Sequence, residues 1–216
     1  MRNLPVFFMA VYCTLSATAF CQKASFGLTA GVSLANIHLK AESISVSGDS
    51  KIGLTAGMFA DVALSENFSF QPALNYVQKG SKNEISDMNY ESKVTLSYIE
   101  LPLNLVYKPE MQKLRFFVGV GPSIAYALSG KEKEKENGVS NTYTYKFGNN
   151  PDEHDLKALD FGANFLTGIE TPGGFLVALN YNLGLSNLAP GSSSDDGTIK
   201  SNYFGFKVGY KLKGKK

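Results

Sequence analysis

A long segment in the middle of the chain, from Val94 to Leu128, alternates apolar residues with small or polar ones at nearly every second position. A repeat of two residues places the apolar side chains on one face of an extended chain, so it predicts β-strands rather than helices. The segment has two halves of about 14 residues, joined by the Pro-containing connection Lys108–Gln112, which suits a hairpin turn. Strands of this length exceed the roughly 5–6 residues usual in globular sheets, and crossing a bilayer at a tilt takes only about 9–11.

The first half of this segment changes phase once. Val94, Leu96 and Tyr98 share one phase, whereas the apolar positions from Ile99 onwards take the other. Because a one-residue slip moves every later side chain to the opposite face, the pattern predicts a β-bulge at Tyr98–Ile99.

The residues between the apolar positions indicate that these strands lie in a membrane. A soluble barrel exposes this second face to water and carries many Lys, Glu and Thr residues there, whereas here the face is mostly Gly, Ala, Ser and Asn. Small residues fit the narrow interior of a barrel of about eight strands. The face rich in Leu, Val, Ile and Phe is then predicted to meet lipid, bounded by aromatic rings.

The start of the chain has the pattern of a cleavable secretory signal peptide. A basic start, Met1–Asn3, precedes a mostly apolar stretch, and the small residues Ala19 and Cys21 stand where a signal peptidase requires them. We predict a signal peptide over residues 1–21 and one outer-membrane β-barrel domain over residues 22–216. A lipoprotein that keeps and acylates Cys21 is an alternative.

Removal of this signal would leave a chain whose composition does not suggest thiol chemistry or nucleic-acid binding. Both cysteines, Cys13 and Cys21, would be lost with it, so we expect no disulfide. Of the 21 basic residues only Arg2 would be lost, leaving 20 against 19 acidic ones, and this balance argues against a nucleic-acid partner. No later stretch has the roughly 18 consecutive apolar residues that predict a transmembrane helix.

Eight strand signals follow one another along the remaining chain, a number typical of the smallest transmembrane barrels. The predicted strands are residues 26–34, 52–64, 68–76, 94–107, 114–128, 159–169, 175–185 and 204–212. Short turns alternate with long connections, as an up-and-down barrel requires. The predicted long connections are His38–Lys51, Lys79–Lys93, Ser129–Leu156 and Asn187–Lys200.

Aromatic residues mark both ends of these strands and predict two girdles at the membrane interfaces. The girdle at the short-turn rim is predicted to comprise Phe26, Phe68, Tyr107, Phe116, Phe175 and Tyr210. The girdle towards the long connections is predicted to comprise Tyr76, Tyr126, Phe161 and Phe204.

Several charged residues fall on the predicted inward face. Buried charges need partners, and eight strands enclose room for little besides side chains, so we expect a structural charge network that plugs the interior rather than a gated conduit. Arg115 and Glu170 lie on neighbouring strands at one rim, where they are placed to pair. The predicted members of the network are Asp61, Glu100, Arg115, Asp160, Glu170, Lys207 and Lys211.

Two short motifs resemble a known family. Ser97–Leu103, SYIELPL, resembles the Tyr-Ile/Leu-Glu-Ile/Leu-Pro strand of the small outer-membrane β-barrel proteins of Bacteroidetes-type bacteria, the PorT-like or porin-family barrels, and Phe117–Pro122, FVGVGP, is similar to their glycine-rich fifth strand. The resemblance implies an eight-stranded antiparallel up-and-down transmembrane barrel with short periplasmic turns and long external loops. It implies little about activity. The basic tail after Tyr210 departs from the aromatic end usual in the family.

Candidate catalytic residues are few. His38 and His154 are predicted in external loops, the second within the acidic run Asp152–Asp155, and Asp195–Asp196 lies in another loop. No spacing resembles a calcium loop, and such residues are common in solvated loops. We therefore expect no enzyme, no cofactor and no metal site.

Three functions remain open. The first is a non-catalytic integral protein of the outer membrane with an envelope-structural or surface-interaction role, in which the long connection Ser129–Asp155 contacts lipopolysaccharide or a partner. The second is transport, as a small passive pore or an accessory of a secretion apparatus, and the third is a soluble periplasmic lipocalin-like barrel. The expected partners of the first are outer-membrane lipid and lipopolysaccharide, the barrel-assembly machinery, and other envelope or secretion-complex proteins.

Overall fold

The computed structural model describes residues 24–41, 44–85, 90–109, 114–191 and 197–212. The predicted signal peptide and Asp195–Asp196 lie outside these ranges. No helix among the described residues is long and apolar enough to span a membrane. The strands are β1 (Ala24–Ala41), β2 (Ile44–Ser47), β3 (Asp49–Ala63), β4 (Phe68–Ile85), β5 (Tyr90–Tyr107), β6 (Arg115–Glu136), β7 (Val139–Thr144), β8 (Leu159–Glu170), β9 (Phe175–Gly184) and β10 (Thr198–Lys211).

All ten strands belong to one antiparallel sheet that closes on itself. Each long strand pairs with the next long strand along the chain, and β1 pairs with β3 on one side and with β10 on the other, in a register that runs from Gly27↔Lys211 to Lys40↔Thr198. The two short strands are additions, since β2 pairs with β1 and β7 with β6. The predicted all-β, antiparallel, up-and-down architecture is therefore confirmed as a barrel-like sheet.

The two faces of this sheet carry opposite chemistry. Apolar side chains point outwards, and Ile52 and Leu54, for example, are 71% and 62% exposed. The inward face buries polar side chains such as Asn75 and Asn182. An apolar exterior around a polar interior is the reverse of a soluble barrel and typical of a membrane barrel. The prediction that the apolar face is the outer one is confirmed.

The strands run further than the sequence pattern indicated. β4 continues to Ile85 and β5 begins at Tyr90, so the connection predicted as a long loop is mostly a two-stranded extension. His38, predicted in a loop, lies in β1 opposite Lys200 of β10. Both predictions were wrong for one reason: apolar alternation ends where lipid ends, whereas backbone amides and carbonyls continue to pair in water.

The predicted bulge lies on the neighbouring strand. The pairing of β5 with β6 shifts register between Ser97 and Tyr98, and their partners on β6 are two residues apart, so Leu128 of β6 is the extra residue. β5 itself keeps one phase, because Leu96 and Tyr98 are both buried inside the sheet. The apolar residues that suggested a slip at Tyr98–Ile99 belong to the interior.

Candidate functional site

The interior near the long connections is organised around the ammonium group of Lys79. Its Nζ lies 2.9 Å from Asp160 Oδ2 and 3.7 Å from Glu100 Oε2, and all three side chains are 1–2% exposed. Tyr203 donates a hydrogen bond of 2.6 Å to Glu100, and Ser186 donates one of 2.9 Å to Asp160. Strands β4, β5, β8 and β10 each contribute one inward side chain to this group, so the charges meet only when the sheet is closed.

Two aromatic rings complete the surroundings of this ammonium group. Lys79 Nζ lies 5.0 Å from the centroid of the Tyr98 ring and 5.3 Å from that of the Tyr203 ring. The negative face of an aromatic ring attracts a cation, most strongly where water is excluded. The rings and the carboxylates together offset the desolvation of a buried cation.

Apolar side chains surround this charged group and close the interior on the side of the long connections. Leu156 and Leu188 belong to connections rather than strands, and they are 5% and 0% exposed. Backbone hydrogen bonds of 2.8 Å hold them in place, from Lys157 N to Leu188 O and from Leu188 N to Ile199 O. The buried members of this layer are Ala35, Ile37, Val77, Leu96, Tyr98, Ala125, Ala127, Leu156, Leu188 and Tyr203.

Amide side chains occupy the middle of the interior. Asn164 donates a hydrogen bond of 2.9 Å to Asn104, and Asn180 donates one of 3.4 Å to Asn164. These residues and Lys207 line a cavity of about 50 Å³. Since one water needs roughly 10–15 Å³ of such volume, the cavity has room for a few water molecules and not for a metabolite.

A second apolar layer and a second charged group lie near the short turns. Lys108 Nζ lies 2.5 Å from Asp61 Oδ2, Lys211 Nζ lies 3.4 Å from the same oxygen, and Lys211 also pairs with Glu170. Side chains from this group line a cavity of about 220 Å³ at the rim. The buried apolar residues of that layer are Phe59, Val106, Phe117, Leu176 and Ala178.

The structure places most of the predicted charge network inside the sheet, in two separate groups. Arg115 lies opposite Glu170 in the pairing of β6 with β8, yet its side chain is exposed and Glu170 pairs with Lys211 instead. Lys207 is buried beside the central cavity, and no carboxylate of the described residues lies within 4.0 Å of its ammonium group. The buried acids of the network are Asp61, Glu100, Asp160 and Glu170.

Sequence reasoning missed the two lysines that hold these groups together. Lys79 was placed at the start of a loop, and Lys108 in a turn. A signal for Lys79 did exist, since it continues the inward phase of Asn75 and Val77 on β4. No comparable signal marks Lys108, which follows the last residue of β5 and reaches back to Asp61.

The predicted girdle residues all lie on the outer face, and one of them, Tyr76, is less exposed than the rest. Phe68 and Tyr107 are cross-strand neighbours whose ring centroids are 5.2 Å apart at the short-turn rim. Tyr76 is only half exposed, and its hydroxyl group lies 3.0 Å from Ser97 Oγ. The remaining exposed members are Phe26, Phe116, Tyr126, Phe161, Phe175, Phe204 and Tyr210.

The loop that contains His154 is held by hydrogen bonds. Asp155 accepts hydrogen bonds of 2.8 Å from the backbone amide of Lys146 and from the Tyr143 hydroxyl group. The first of these bonds contributes most to lowering the pKa of Asp155 below its usual value. His154 Nδ1 lies 3.2 Å from the Asn150 carbonyl oxygen. Within the described ranges, no group of three or more His, Cys, Asp or Glu side chains is placed to bind a metal ion.

An apolar exterior, a side-chain-filled polar interior and strands that close edge to edge define the class of outer-membrane β-barrel proteins. The family model described as "Outer membrane protein beta-barrel domain" matches residues 18–189, about four fifths of the chain. The chain belongs to this family, and its location is the outer membrane. That location excludes the soluble periplasmic alternative.

Solved structures with a similar fold come from several bacteria. The attachment invasion locus protein Ail of Yersinia pestis is 13% identical, with 88% of this chain and 100% of that chain covered and a TM-score of 0.43. Neisserial surface protein A is 14% identical, with 88% and 100% covered and a TM-score of 0.46. OprG from Pseudomonas aeruginosa is 11% identical, with 89% and 97% covered and a TM-score of 0.46. No curated protein matches the chain.

Proposed function

We propose that the protein is a non-catalytic, eight-stranded outer-membrane barrel with a closed interior and an envelope-structural or surface-interaction role. Strands β1, β3, β4, β5, β6, β8, β9 and β10 cross the membrane, and β2 and β7 extend the sheet outside it. The short turns face the periplasm and the long connections face the exterior, as in other barrels of this kind.

The observation that carries this proposal is the filled interior on the side of the long connections. The group around Lys79 and its apolar surroundings lie between the central cavity and the long connections, and none of their side chains lines that cavity. The cavity itself, of about 50 Å³, is too small to be a water-filled channel. The interior thus stabilises the barrel. The surfaces available for a specific interaction are the external extensions of the sheet.

The PorT-like subgroup, and a role beside envelope or secretion-complex proteins, remain predictions that rest on the SYIELPL segment. The external extensions offer the surface that such partners would contact. Lipopolysaccharide and the barrel-assembly machinery are the other proposed partners.

Ion conductance across planar bilayers tests the proposal directly. We expect the folded chain to leave the conductance of the bilayer unchanged, because no continuous aqueous path crosses the layers. A variant with Tyr98→Ala and Leu188→Ala, which removes bulk from the outer apolar layer, provides the comparison. Wild-type conductance equal to that of a large-pore barrel measured in parallel would instead establish the passive pore. Faster gel migration of unboiled than of boiled protein verifies that both samples are folded.

A further inference from the structure

The run of alternating charges at the end of β6, Lys131–Glu136, separates onto the two faces of the external sheet. The bulge at Leu128 changes the phase of β6, and beyond it Gly130 and Glu132 face the interior side. Lys131 lies opposite Thr95 and Lys133 opposite Lys93, and β5 keeps one phase throughout. The lysines therefore lie on the outward side, which continues the lipid-facing surface below.

Two of the three glutamates of this run, Glu132 and Glu134, have partners on their own face. Ser92 donates a hydrogen bond of 2.6 Å to Glu132 Oε1, and Tyr145 donates one of 2.7 Å to Glu132 Oε2. Tyr90 donates a hydrogen bond of 2.9 Å to Glu134. These carboxylates accept hydrogen bonds from hydroxyl groups and do not neutralise the lysines on the opposite face of the sheet.

The lysines instead lie beside one another. Lys93 on β5 lies directly opposite Lys82 on β4 and directly opposite Lys133 on β6. Three adjacent strands therefore place three cations in one row. Lys82 pairs with Glu84 at 2.7 Å and with Glu91 at 3.5 Å. Lys131 and Lys135 lie two residues to either side of Lys133 on the same face, and Lys135 lies opposite Glu91 of β5.

The row is unfavourable for the isolated protein. Like charges directly opposite each other in a sheet destabilise it. Among the described residues, no carboxylate lies within 4.0 Å of Lys93 or Lys133. A local arrangement that opposes folding, on an otherwise regular sheet, indicates a charged ligand that offsets the repulsion.

The position of the row identifies that ligand. Below it, the outward face carries Ile99 and Leu101 on β5 and Tyr126 on β6, at the predicted outer girdle. Lys131 follows Tyr126 by five residues and Lys133 by seven, which is roughly 16 and 23 Å along a strand and less in height because barrel strands tilt. A lipid whose acyl chains pack on the apolar band therefore presents its headgroup to these lysines.

We propose that Lys93, Lys131 and Lys133 form a binding site for the phosphate groups of a phosphorylated glycolipid in the outer leaflet. The inference rests on the proposed function for the orientation of the barrel, with the long connections outside, and it gives the proposed lipopolysaccharide contact a site. The lysines bind phosphate through charge-assisted hydrogen bonds, and the ligand removes the repulsion within the row.

Binding of bisphosphorylated lipid A to the full chain in detergent micelles tests the site. We expect the double variant Lys93→Gln, Lys133→Gln to bind about thirtyfold more weakly, since it removes two lysines that each attract an anionic lipid surface. The control, Lys146→Gln with Lys157→Gln, removes the same charge from the neighbouring loop and should change binding by less than about twofold. Equal binding by the double variant and the wild type would overturn the site.

Two further arms identify the ligand. Dephosphorylated lipid A should bind the wild type as weakly as lipid A binds the double variant, and equal binding of both lipids would overturn the role of phosphate. A soluble sulfated polysaccharide should compete poorly, because it lacks acyl chains, and its preferential binding would overturn the assignment to a lipid. Neither arm measures conductance, so a pore that still binds lipid A would contradict the proposed function and leave this site standing.

The stability of the lipid-free protein provides an independent check. In a zwitterionic detergent, Lys93→Gln should raise or preserve the melting temperature, because it relieves repulsion from Lys82 and Lys133. Lipid A should then raise the melting temperature of the wild type more than that of the variant. A variant that melts lower without lipid, and gains as much from lipid A as the wild type, would contradict the proposal.

Discussion

The ammonium group of Lys79 compensates two buried carboxylates at once, since Asp160 and Glu100 both lie within ion-pair distance of it. Replacing Lys79 with Met would keep the length of the side chain and leave both acids without a cation. Breaking a buried ion pair by removing one partner costs about 3–5 kcal/mol. We expect the midpoint of urea unfolding, measured in lipid vesicles, to fall accordingly.

Lys82→Met is the matched control for this prediction. Lys82 pairs with Glu84 at a similar distance of 2.7 Å, but both side chains are exposed, and water and salt screen such pairs so that they contribute little to stability. If the two substitutions shift the midpoint equally, burial does not determine how much the ion pairs of Lys79 stabilise the folded protein.

The individual residues also show what a sequence can reveal about this interior. The predicted inward acids Glu100 and Asp160 are buried because period-two alternation fixes their face once their strands are recognised. Their shared partner Lys79 was missed, because it lies past the end of the apolar pattern on β4. Which cation meets which acid depends on the curvature of the closed sheet, so Arg115 and Glu170 are register neighbours without being an ion pair.

At the scale of single elements, the contact of β6 with β5 depends on glycine. A Cβ atom at Gly121 would lie 1.9 Å from the Leu103 carbonyl oxygen, so any side chain there must displace the backbone of β5. We expect Gly121→Ala to reduce the free energy of unfolding by about 1–3 kcal/mol, as overpacking does elsewhere. Urea titration of the folded protein in vesicles measures the change.

Gly173→Ala serves as the control for this substitution. A Cβ atom at Gly173 would have Thr171 Oγ1 as its nearest neighbour, at 3.7 Å, which is an ordinary contact. The control should unfold close to the wild type. Equal loss in both variants would indicate that general glycine flexibility, rather than the close approach of the two strands, sets the stability at Gly121.

The external loop after β7 should loosen in acid. Asp155 has a pKa below its usual value, chiefly because its carboxylate accepts a hydrogen bond from the Lys146 amide. Since the folded pKa lies below the unfolded one, the stabilisation is present above the unfolded pKa and is lost as the pH falls through the folded pKa. Hydrogen exchange of the Lys146 amide, corrected for its intrinsic rate, should therefore accelerate at low pH.

Asp155→Asn tests the cause of this behaviour, because Asn retains an acceptor oxygen and removes the titrating proton. Exchange in the variant should vary little over the same pH range. If wild type and variant show the same acid dependence, another group controls the loop.

The elements themselves were only partly predictable. Strand identity, order and outward face follow from alternation, which reports the contact with lipid. The ends of the strands cannot be predicted from alternation. The last residues of β6 are Lys and Glu, which show no apolar pattern, and yet they pair with Tyr90–Val94 of β5. The bulge was predicted on the wrong strand because Leu96 and Tyr98 are apolar residues that pack inside the barrel, not on its lipid-facing side.

At the scale of the whole molecule, the apolar exterior determines where the protein resides. Leu54 lies opposite Val32 on the outer face, between the two rims, and is 62% exposed. An arginine at the bilayer midplane of a barrel costs about 2–4 kcal/mol. We expect Leu54→Arg to lower the yield of folded barrel in vesicles, measured by the shift in gel migration without boiling, whereas Ser140→Arg in exposed β7 should fold normally. Equal yields would mean that Leu54 does not face lipid.

The seam between β1 and β10 joins the first described strand to the last, so nearly the whole chain is a loop that must close before this pairing forms. Contacts of such long sequence separation are slow to form. Until they do, the amides of β1 and the apolar side chains beside them remain open to any other unpaired strand. A cell that secretes this protein must therefore keep incompletely folded chains apart. The yield of folded protein is then limited by association between two such chains, not by the stability of the closed barrel.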